Sequence, residues 1–187
     1  MTDGTLVDSR IIDDSTILAA YSIALVDLNG DGNKELLVNN HETKESTNGI
    51  WAYTLPEDGD LMNGEFVKKT IATNFNVVFN LFVPQMSPGF PYAIWPNGYK
   101  EGERAHIFVA GDGDQSAHDL YPTGDNPEDF GYTDVLIENA HGTVGALAFS
   151  DLDQDGWIEI WMPNYDDSTV ELFRVYDASQ TDKAEEK

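Results

Sequence analysis

The chain has 187 residues, of which 34 are Asp or Glu and 10 are Lys or Arg, so its formal net charge is −24. This charge opposes contact with phosphate backbones and anionic lipids, which argues against nucleic-acid binding and against membrane partners. Cysteine is absent, which excludes disulfides and thiol chemistry. No apolar stretch reaches the roughly 20 residues that span a bilayer. No signal peptide opens the chain, so we expect either a cytosolic protein or one whose processing segments have been removed.

Short runs rich in Val, Ile, Phe, Tyr and Trp alternate with turn residues, and helical spacing is never sustained for three turns. This pattern predicts an all-β fold: a sandwich, a barrel or a propeller. The predicted strands lie near Ser22–Val26, Leu36–Asn39, Ile50–Leu55, Phe66–Ala72, His106–Ala110, Ala117–Tyr121, Thr133–Glu138, Val144–Phe149, Ile158–Met162 and Val170–Tyr176.

The first predicted turn is rich in oxygen-bearing side chains. Asp27, Asn29, Asp31 and Glu35 occupy loop positions one, three, five and nine, and a glycine occupies position six. Calcium takes six to eight oxygen ligands at about 2.3–2.6 Å, and alternate residues of a tight loop can supply them. The carbonyl of Asn33, at position seven, can add a ligand that needs no particular side chain.

The segment Phe75–Gly102 interrupts the strand pattern. It carries aromatic residues, and it contains four prolines, which cannot donate to a sheet ladder. We therefore predict a long ordered loop rather than inner strands, packing over the sheets or lining a ligand groove. The prolines are Pro84, Pro88, Pro91 and Pro96, and the aromatic residues are Phe90, Tyr92, Trp95 and Tyr99.

A third acidic cluster runs from Gly111 to Gln115, with Asp119 close behind, but it lacks the glycine at position six. We read it as a turn between strands, with a weak cation site as the alternative. The four histidines are scattered without zinc spacing, which favours structural roles. They are His41, His106, His118 and His141. The four tryptophans are expected in the core rather than stacked on sugars; they are Trp51, Trp95, Trp157 and Trp161.

A second loop repeats the design of the first after 124 positions. Asp151, Asp153, Asp155 and Glu159 stand at positions one, three, five and nine, and Trp157 stands at position seven. Two matching copies favour a metal-binding loop over a plain acidic turn.

These loops differ from the helix-flanked EF-hand loop. That loop needs a bidentate Glu at position twelve, where this chain has Val38 and Met162. Both acidic loops instead lie between predicted strands.

An internal repeat organises the strands. The similar segments Val7–Ile11, Val67–Ile71 and Thr133–Ile137 lie 60 and 66 residues apart, counted between their final isoleucines. This period, with four short strands per unit, predicts propeller blades whose outermost strands are these segments. Three blades are too few for a ring, so the chain is expected to form part of a larger propeller or to be completed by another chain. A compact non-propeller arrangement is the alternative.

The repeat predicts a propeller segment over residues 1–178. Its parts are an outer strand of a preceding blade (5–13), a blade with an acidic loop (14–73), a degenerate blade (74–139), a second blade with an acidic loop (140–178) and a disordered tail (179–187). The strand Thr5–Ile12 is expected to pair with Val170–Tyr176, in the same chain or in another.

The motif Asp-x-Asn/Asp-x-Asp-Gly-x-x-Glu between strands resembles the FG-GAP/VCBS repeat, the unit of integrin-α-type β-propellers. The resemblance covers most of the chain, although only the first and last units carry the loop. It implies two calcium sites, formed by Asp27, Asn29, Asp31, Asn33 and Glu35 and by Asp151, Asp153, Asp155, Trp157 and Glu159. Asn29 lowers the charge of the first loop, which predicts weaker binding there.

The resemblance further implies a secreted, non-enzymatic module that serves as an adhesion, binding or structural scaffold for a protein or glycan ligand. One alternative is a lectin-like propeller that uses the aromatic loop Phe90–Tyr99. A second alternative is a lyase or hydrolase acting on polysaccharide. No nucleophile elbow, phosphate loop or dinucleotide fingerprint supports an enzyme.

Overall fold

The computed structural model describes Gly4 and residues 8–80, 83–139 and 142–176. These residues form an all-β structure of antiparallel sheets, each following the order of its strands along the chain. Sheet 1 contains β1 (Ala20–Val26), β2 (Glu35–Asn40), β3 (Gly49–Thr54) and β4 (Val67–Thr73). Sheet 2 contains β7 (Pro91–Ile94), β8 (His106–Val109), β9 (Ser116–Pro122) and β10 (Tyr132–Asn139). Sheet 3 contains β11 (Ala148–Ser150), β12 (Glu159–Asn164) and β13 (Thr169–Arg174).

Shorter elements connect these sheets. A two-stranded hairpin of β5 (Phe79–Asn80) and β6 (Val83–Pro84) lies between sheets 1 and 2 in the chain. The 3₁₀ turns Glu45–Thr47 and Pro127–Asp129 precede β3 and β10. Among the residues described, no helix is both long and apolar enough to cross a membrane.

Sheet 2 lies between the other two sheets, as the contacts on the two faces of its strand β8 show. Ile107 and Val109 belong to a core cluster shared with sheet 1, whereas Phe108 and the following Ala110 belong to a cluster shared with sheet 3. Alternate residues of a strand point to opposite faces. A strand buried on both faces therefore carries a continuous apolar run rather than an alternating one.

The other face of sheet 1 is partly covered by the segment of residues 8–19, which we call the strap. Ile17 packs against a small cluster containing Trp51 and Tyr53. The Tyr53 hydroxyl donates to Asp13 at 2.6 Å, and the Lys68 ammonium lies 3.6 Å from the same carboxylate. Polar contacts thus hold the strap on the β3–β4 side of the sheet.

The all-β prediction is confirmed, and each of the ten predicted strands overlaps an observed one. The grouping into four, four and three strands is also present, with β4 and β10 outermost in their sheets. The predicted Val144–Phe149 strand is shorter in the structure, because β11 begins at Ala148 and Val144 makes only an isolated bridge.

The prediction that Phe75–Gly102 contains no sheet strand is wrong. β7 pairs with β8, and Pro91 lies opposite Val109 at the start of this edge strand. An edge position does not need the N–H that proline lacks, so the ring is tolerated there.

The predicted outer strand near the N-terminus does not form in the part of that segment that the structure describes. Residues 8–13 contain no strand, and β13 pairs only with β12 within the described part of the chain. Residues 5–7, His141 and the tail 179–187 lie outside the described residues.

Candidate metal centre

The first acidic loop joins β1 to β2 and is organised by its own side chains. Asp27 accepts a hydrogen bond from the N–H of Gly32 at 3.0 Å, and Asn29 accepts one from the N–H of Asp31 at 3.1 Å. Asp31 in turn accepts one from the N–H of Asn33 at 2.6 Å. Side chains one, three and five thereby turn toward the backbone of the loop, where Asn29 is buried and Asp31 remains exposed.

The second loop joins β11 to β12 and repeats this network. Asp151 accepts from the N–H of Gly156 at 3.1 Å, Asp153 from Asp155 at 3.3 Å, and Asp155 from Trp157 at 2.9 Å. One oxygen from each of Asp151, Asp153 and Asp155 falls within 4.8 Å of the others. Uncompensated carboxylates this close repel one another, whereas a cation among them would neutralise the repulsion.

Glycine at position six is required by the backbone of both loops. Gly32 has φ of 88° and Gly156 has φ of 94°, in the left-handed region that residues with a Cβ rarely adopt. The turn brings the preceding and following loop residues around a common centre.

The glutamates at position nine close each loop from the first residue of the following strand. Glu35 accepts a hydrogen bond from the N–H of Leu28 at 2.8 Å, and Glu159 accepts one from Leu152 at 2.8 Å. Both glutamates are buried. One carboxylate oxygen of each therefore accepts from the backbone, and the other oxygen of Glu159 lies 3.9 Å from Nε of Arg174.

Burial makes the position-nine carboxylate of the first loop hard to ionise. Desolvation, followed by the negative charges of Asp31 and Asp27, raises the pKa of Glu35 to about 7. A bound divalent cation would favour the ionised carboxylate, so metal binding at this loop would release protons near neutral pH.

Two residues from outside the motif reach the loops, and the motif alone did not point to them. The Glu128 carboxylate, from the turn before β10, lies 3.4 Å from the amide nitrogen of buried Asn29. Arg174 on β13 contacts Asp153 directly, and its Nε lies 3.9 Å from Glu159. The first loop thus gains a nearby carboxylate, whereas the second has a positive charge already in contact with it.

The third acidic cluster forms a turn between β8 and β9, as predicted, and its carboxylates are paired with histidines. Asp112 lies 3.1 Å from His41, Asp114 lies 2.7 Å from His118, and Asp119 lies 3.0 Å from His106. The pairs of His41 and His106 join residues that are distant in sequence or on different strands, so histidine spacing could not reveal them, whereas Asp114 and His118 lie only four residues apart.

The predicted site residues come together loop by loop, 27–35 and 151–159, and the two loops belong to different sheets. Trp51 is in the core as predicted. Trp95 packs against the core cluster of sheets 1 and 2 and also lines, with Trp157, an open cleft of about 470 Å³ between sheets 2 and 3. Tyr121, Tyr176 and the His106–Asp119 pair line it too.

Comparison with known proteins adds no assignment. A scan against protein-family models, a search of curated proteins and a search of solved structures each returned no match.

Proposed function

We propose that this chain is a calcium-binding, non-enzymatic module of the β-propeller type that acts outside the cell as a binding or structural scaffold. The observation that carries the proposal is the hydrogen-bond network shared by the two acidic loops. Carboxylates and amides at positions one, three and five, with a glutamate at nine, make an all-oxygen donor set. Such a set suits a hard cation such as calcium better than a transition metal.

The role of calcium in this proposal is structural. A cation in each loop would hold β1 against β2 and β11 against β12 by neutralising carboxylates that otherwise repel. Ligand that binds only the folded chain stabilises it by mass action. Extracellular calcium modules bind with dissociation constants of about 10⁻⁴–10⁻³ M, and we expect values in this range.

Charged side chains next to the two loops affect how strongly each loop would bind calcium relative to the other. Glu128 adds negative charge near Asn29, and Arg174 offsets negative charge at Asp153. We therefore propose that the two affinities lie closer together than the Asn-for-Asp difference alone predicts.

The propeller assignment is supported by the order of the sheets. Each sheet follows the order of its strands along the chain, and sheet 2 shares one core cluster with sheet 1 and another with sheet 3. Blades of a propeller are arranged in this way. Three such sheets do not close a ring, so further blades would come from elsewhere.

Calorimetric titration of chelator-treated protein with calcium tests the metal sites. We expect two sites in the wild type, one in Asp155→Asn, and two in the control Asp125→Asn, whose exposed carboxylate lies outside both loops. The melting temperature should rise with calcium and continue to rise logarithmically above the dissociation constant. Absence of binding at millimolar calcium, or equal melting with calcium and with chelator, would overturn the proposal.

Glycan binding is the second candidate, and the cleft between sheets 2 and 3 favours it. Its volume falls within the roughly 300–1,000 Å³ of ligand sites, and its aromatic rings lie beside ionic side chains. Quenching of tryptophan fluorescence by a panel of sugars tests this candidate. Trp157→Ala and Tyr121→Ala should abolish the response, whereas Tyr165→Ala, exposed elsewhere, should not.

A further inference from the structure

The two acidic loops occupy equivalent places in sheets 1 and 3. They therefore show which residues, and which faces, of the two sheets correspond. Because the loops lie 124 positions apart, β1 and β2 correspond in sequence to the run before β12 and to β12 itself, and Leu25 pairs with Leu36 as Phe149 pairs with Ile160. Four apolar positions of one face then correspond, and we call this face the back of each sheet. The pairs are Ile23 with Leu147, Leu25 with Phe149, Leu36 with Ile160, and Val38 with Met162.

The back face of sheet 3 is covered, whereas that of sheet 1 is open along β1. Leu147, Ile160 and Met162 are buried against sheet 2. Ile23, the β1 counterpart of Leu147, is 65% exposed, and Leu25, the counterpart of half-buried Phe149, is 53% exposed. On β2, Val38 is buried in the small cluster that Ile17 of the strap covers. Along β1, the back of sheet 1 therefore lacks the partner that the equivalent surface of sheet 3 has.

The opposite face, which we call the front, shows the reverse. Leu37 on the front of sheet 1 is fully buried against sheet 2. Its counterpart on sheet 3 is Trp161, which pairs with Leu172. Leu172 is 49% exposed and Val170, on the same face, is 71% exposed. The stack thus begins with an open back face and ends with an open front face.

We infer that these two open faces bind each other between copies of the chain, the front of sheet 3 on one copy against the back of sheet 1 on the next. The interface would continue the front-to-back series already present at the two sheet contacts within the chain. Because the two surfaces differ, the contact is heterologous and can close into a ring or extend.

Beside the strap, sheet 1 has a groove that can accept exposed side chains of sheet 3. A largely aliphatic groove of about 200 Å³, with Arg10 and Asp13 also in its lining, runs between the strap and the β1–β2 side of sheet 1. Ile12, Ile17, Ile23, Leu36 and Val38 line it. Aliphatic side chains such as Val170 and Leu172 match this groove in size and polarity.

The charge of the chain sets the conditions for association. Each copy carries −24, so two copies repel at low ionic strength. Salt shortens the screening length from about 10 Å at 0.1 M to about 3 Å at 1 M. Association should therefore strengthen with salt, as expected for an apolar contact between like-charged molecules.

Sedimentation equilibrium of the full chain over a range of concentrations and salt tests the inference. We expect association in the wild type and a loss of at least about tenfold in the association constant for Leu172→Asp and for Ile23→Asp. Leu136→Asp is the control, because Leu136 is 54% exposed on β10, outside both faces. Circular dichroism and melting curves establish that each variant is folded.

Mixing the two variants distinguishes this contact from other kinds of self-association. Leu172→Asp retains an intact back face and Ile23→Asp an intact front face, so an equimolar mixture should form a dimer and nothing larger. A wild type that stays monomeric in high salt, a control that dissociates equally, or a mixture that stays monomeric would overturn the inference. The inference stands on sheet stacking, so its outcome is separable from that of the calcium titration.

Discussion

Arg174 is the residue that most clearly separates the two acidic loops. It contacts Asp153 and lies near Glu159, and the strand position paired with Glu35 in the first loop holds Thr54 instead. A cation entering the second loop meets a guanidinium that already satisfies part of its negative charge. The arginine would therefore compete with the proposed calcium ion for the oxygens of Asp153 and Glu159.

Replacing this arginine should strengthen calcium binding at the second loop. Because both side chains are over a third exposed, the ion pair contributes no more than about 1 kcal/mol. Arg174→Met is expected to raise the affinity of that site about two- to fivefold in calorimetric titration. Arg10→Met removes the same charge outside both loops and serves as the control. Equal affinities for the two variants would contradict the prediction.

His118 is the residue with the clearest pH dependence. Burial opposes its positive charge, but hydrogen bonds to Asp114 at 2.7 Å and Asp134 at 2.9 Å outweigh burial and raise its pKa from 6.5 to about 9. The folded chain thus binds this proton more tightly than the unfolded chain. The stabilisation is fully present below pH 6.5 and is lost as the pH rises through about 9.

Urea unfolding of the wild type and of His118→Gln should reveal this dependence. The wild type is expected to exceed the variant by a margin that shrinks between about pH 6 and pH 9. The pH-dependent part of this difference in unfolding free energy should be on the order of 2–3 kcal/mol, as the raised pKa of His118 implies. Solvent screening reduces it little because the side chain is largely buried. A margin that stays constant across this range would show that His118 acts only by packing.

At the scale of elements, the core between sheets 1 and 2 depends on the inward residues of β9. Leu120 is fully buried in that core, whereas Leu136 on the adjacent strand β10 is 54% exposed. The same substitution at both positions isolates the effect of burial from that of leucine itself.

Leu120→Ala should lower the free energy of unfolding by about 2–5 kcal/mol, because it removes buried methyl groups and leaves a cavity. Leu136→Ala should change it by no more than about 0.5 kcal/mol. Denaturant unfolding of the two variants measures both values. Similar losses of unfolding free energy for the two variants would contradict the assignment of Leu120 to the core.

For the whole molecule, the net charge of −24 makes self-repulsion a general cost of folding. Sodium chloride should raise the melting temperature gradually between about 0.05 and 0.5 M by screening that repulsion. Millimolar calcium should raise it further than magnesium at matched ionic strength, since calcium suits irregular oxygen cages and magnesium demands octahedral geometry. A melting temperature unaffected by salt would contradict the first expectation, and identical effects of the two cations would contradict the second.

The strands and the acidic loops were predictable because their signals are local. Alternation of apolar and turn residues marks each strand, and the spacing of Asp, Asn, Gly and Glu marks each loop. The hydrogen bonds that shape the loops span two to seven residues, as between Asp155 and Trp157 or Glu35 and Leu28. Such contacts depend on a short window of sequence.

Apart from the pair of Asp114 and His118, the contacts that local patterns did not predict join distant segments. Pro91 is accommodated because β7 is an edge strand, which its own neighbourhood in sequence does not reveal. Arg174 reaches Asp153 across the pairing of β12 with β13. Glu128 approaches Asn29 because sheets 1 and 2 stack.

The all-β class, the approximate positions of most strands and the composition of two oxygen-rich loops follow from the amino-acid sequence. Which sheet faces are covered, which carboxylates pair with histidine or arginine, and where the N-terminal segment lies follow only from the folded chain. The physical reason is that propensity, turn chemistry and loop ligation depend on neighbours in the chain. Burial and charge compensation depend instead on which elements pack against each other, and chains with the same local pattern can pack in different ways.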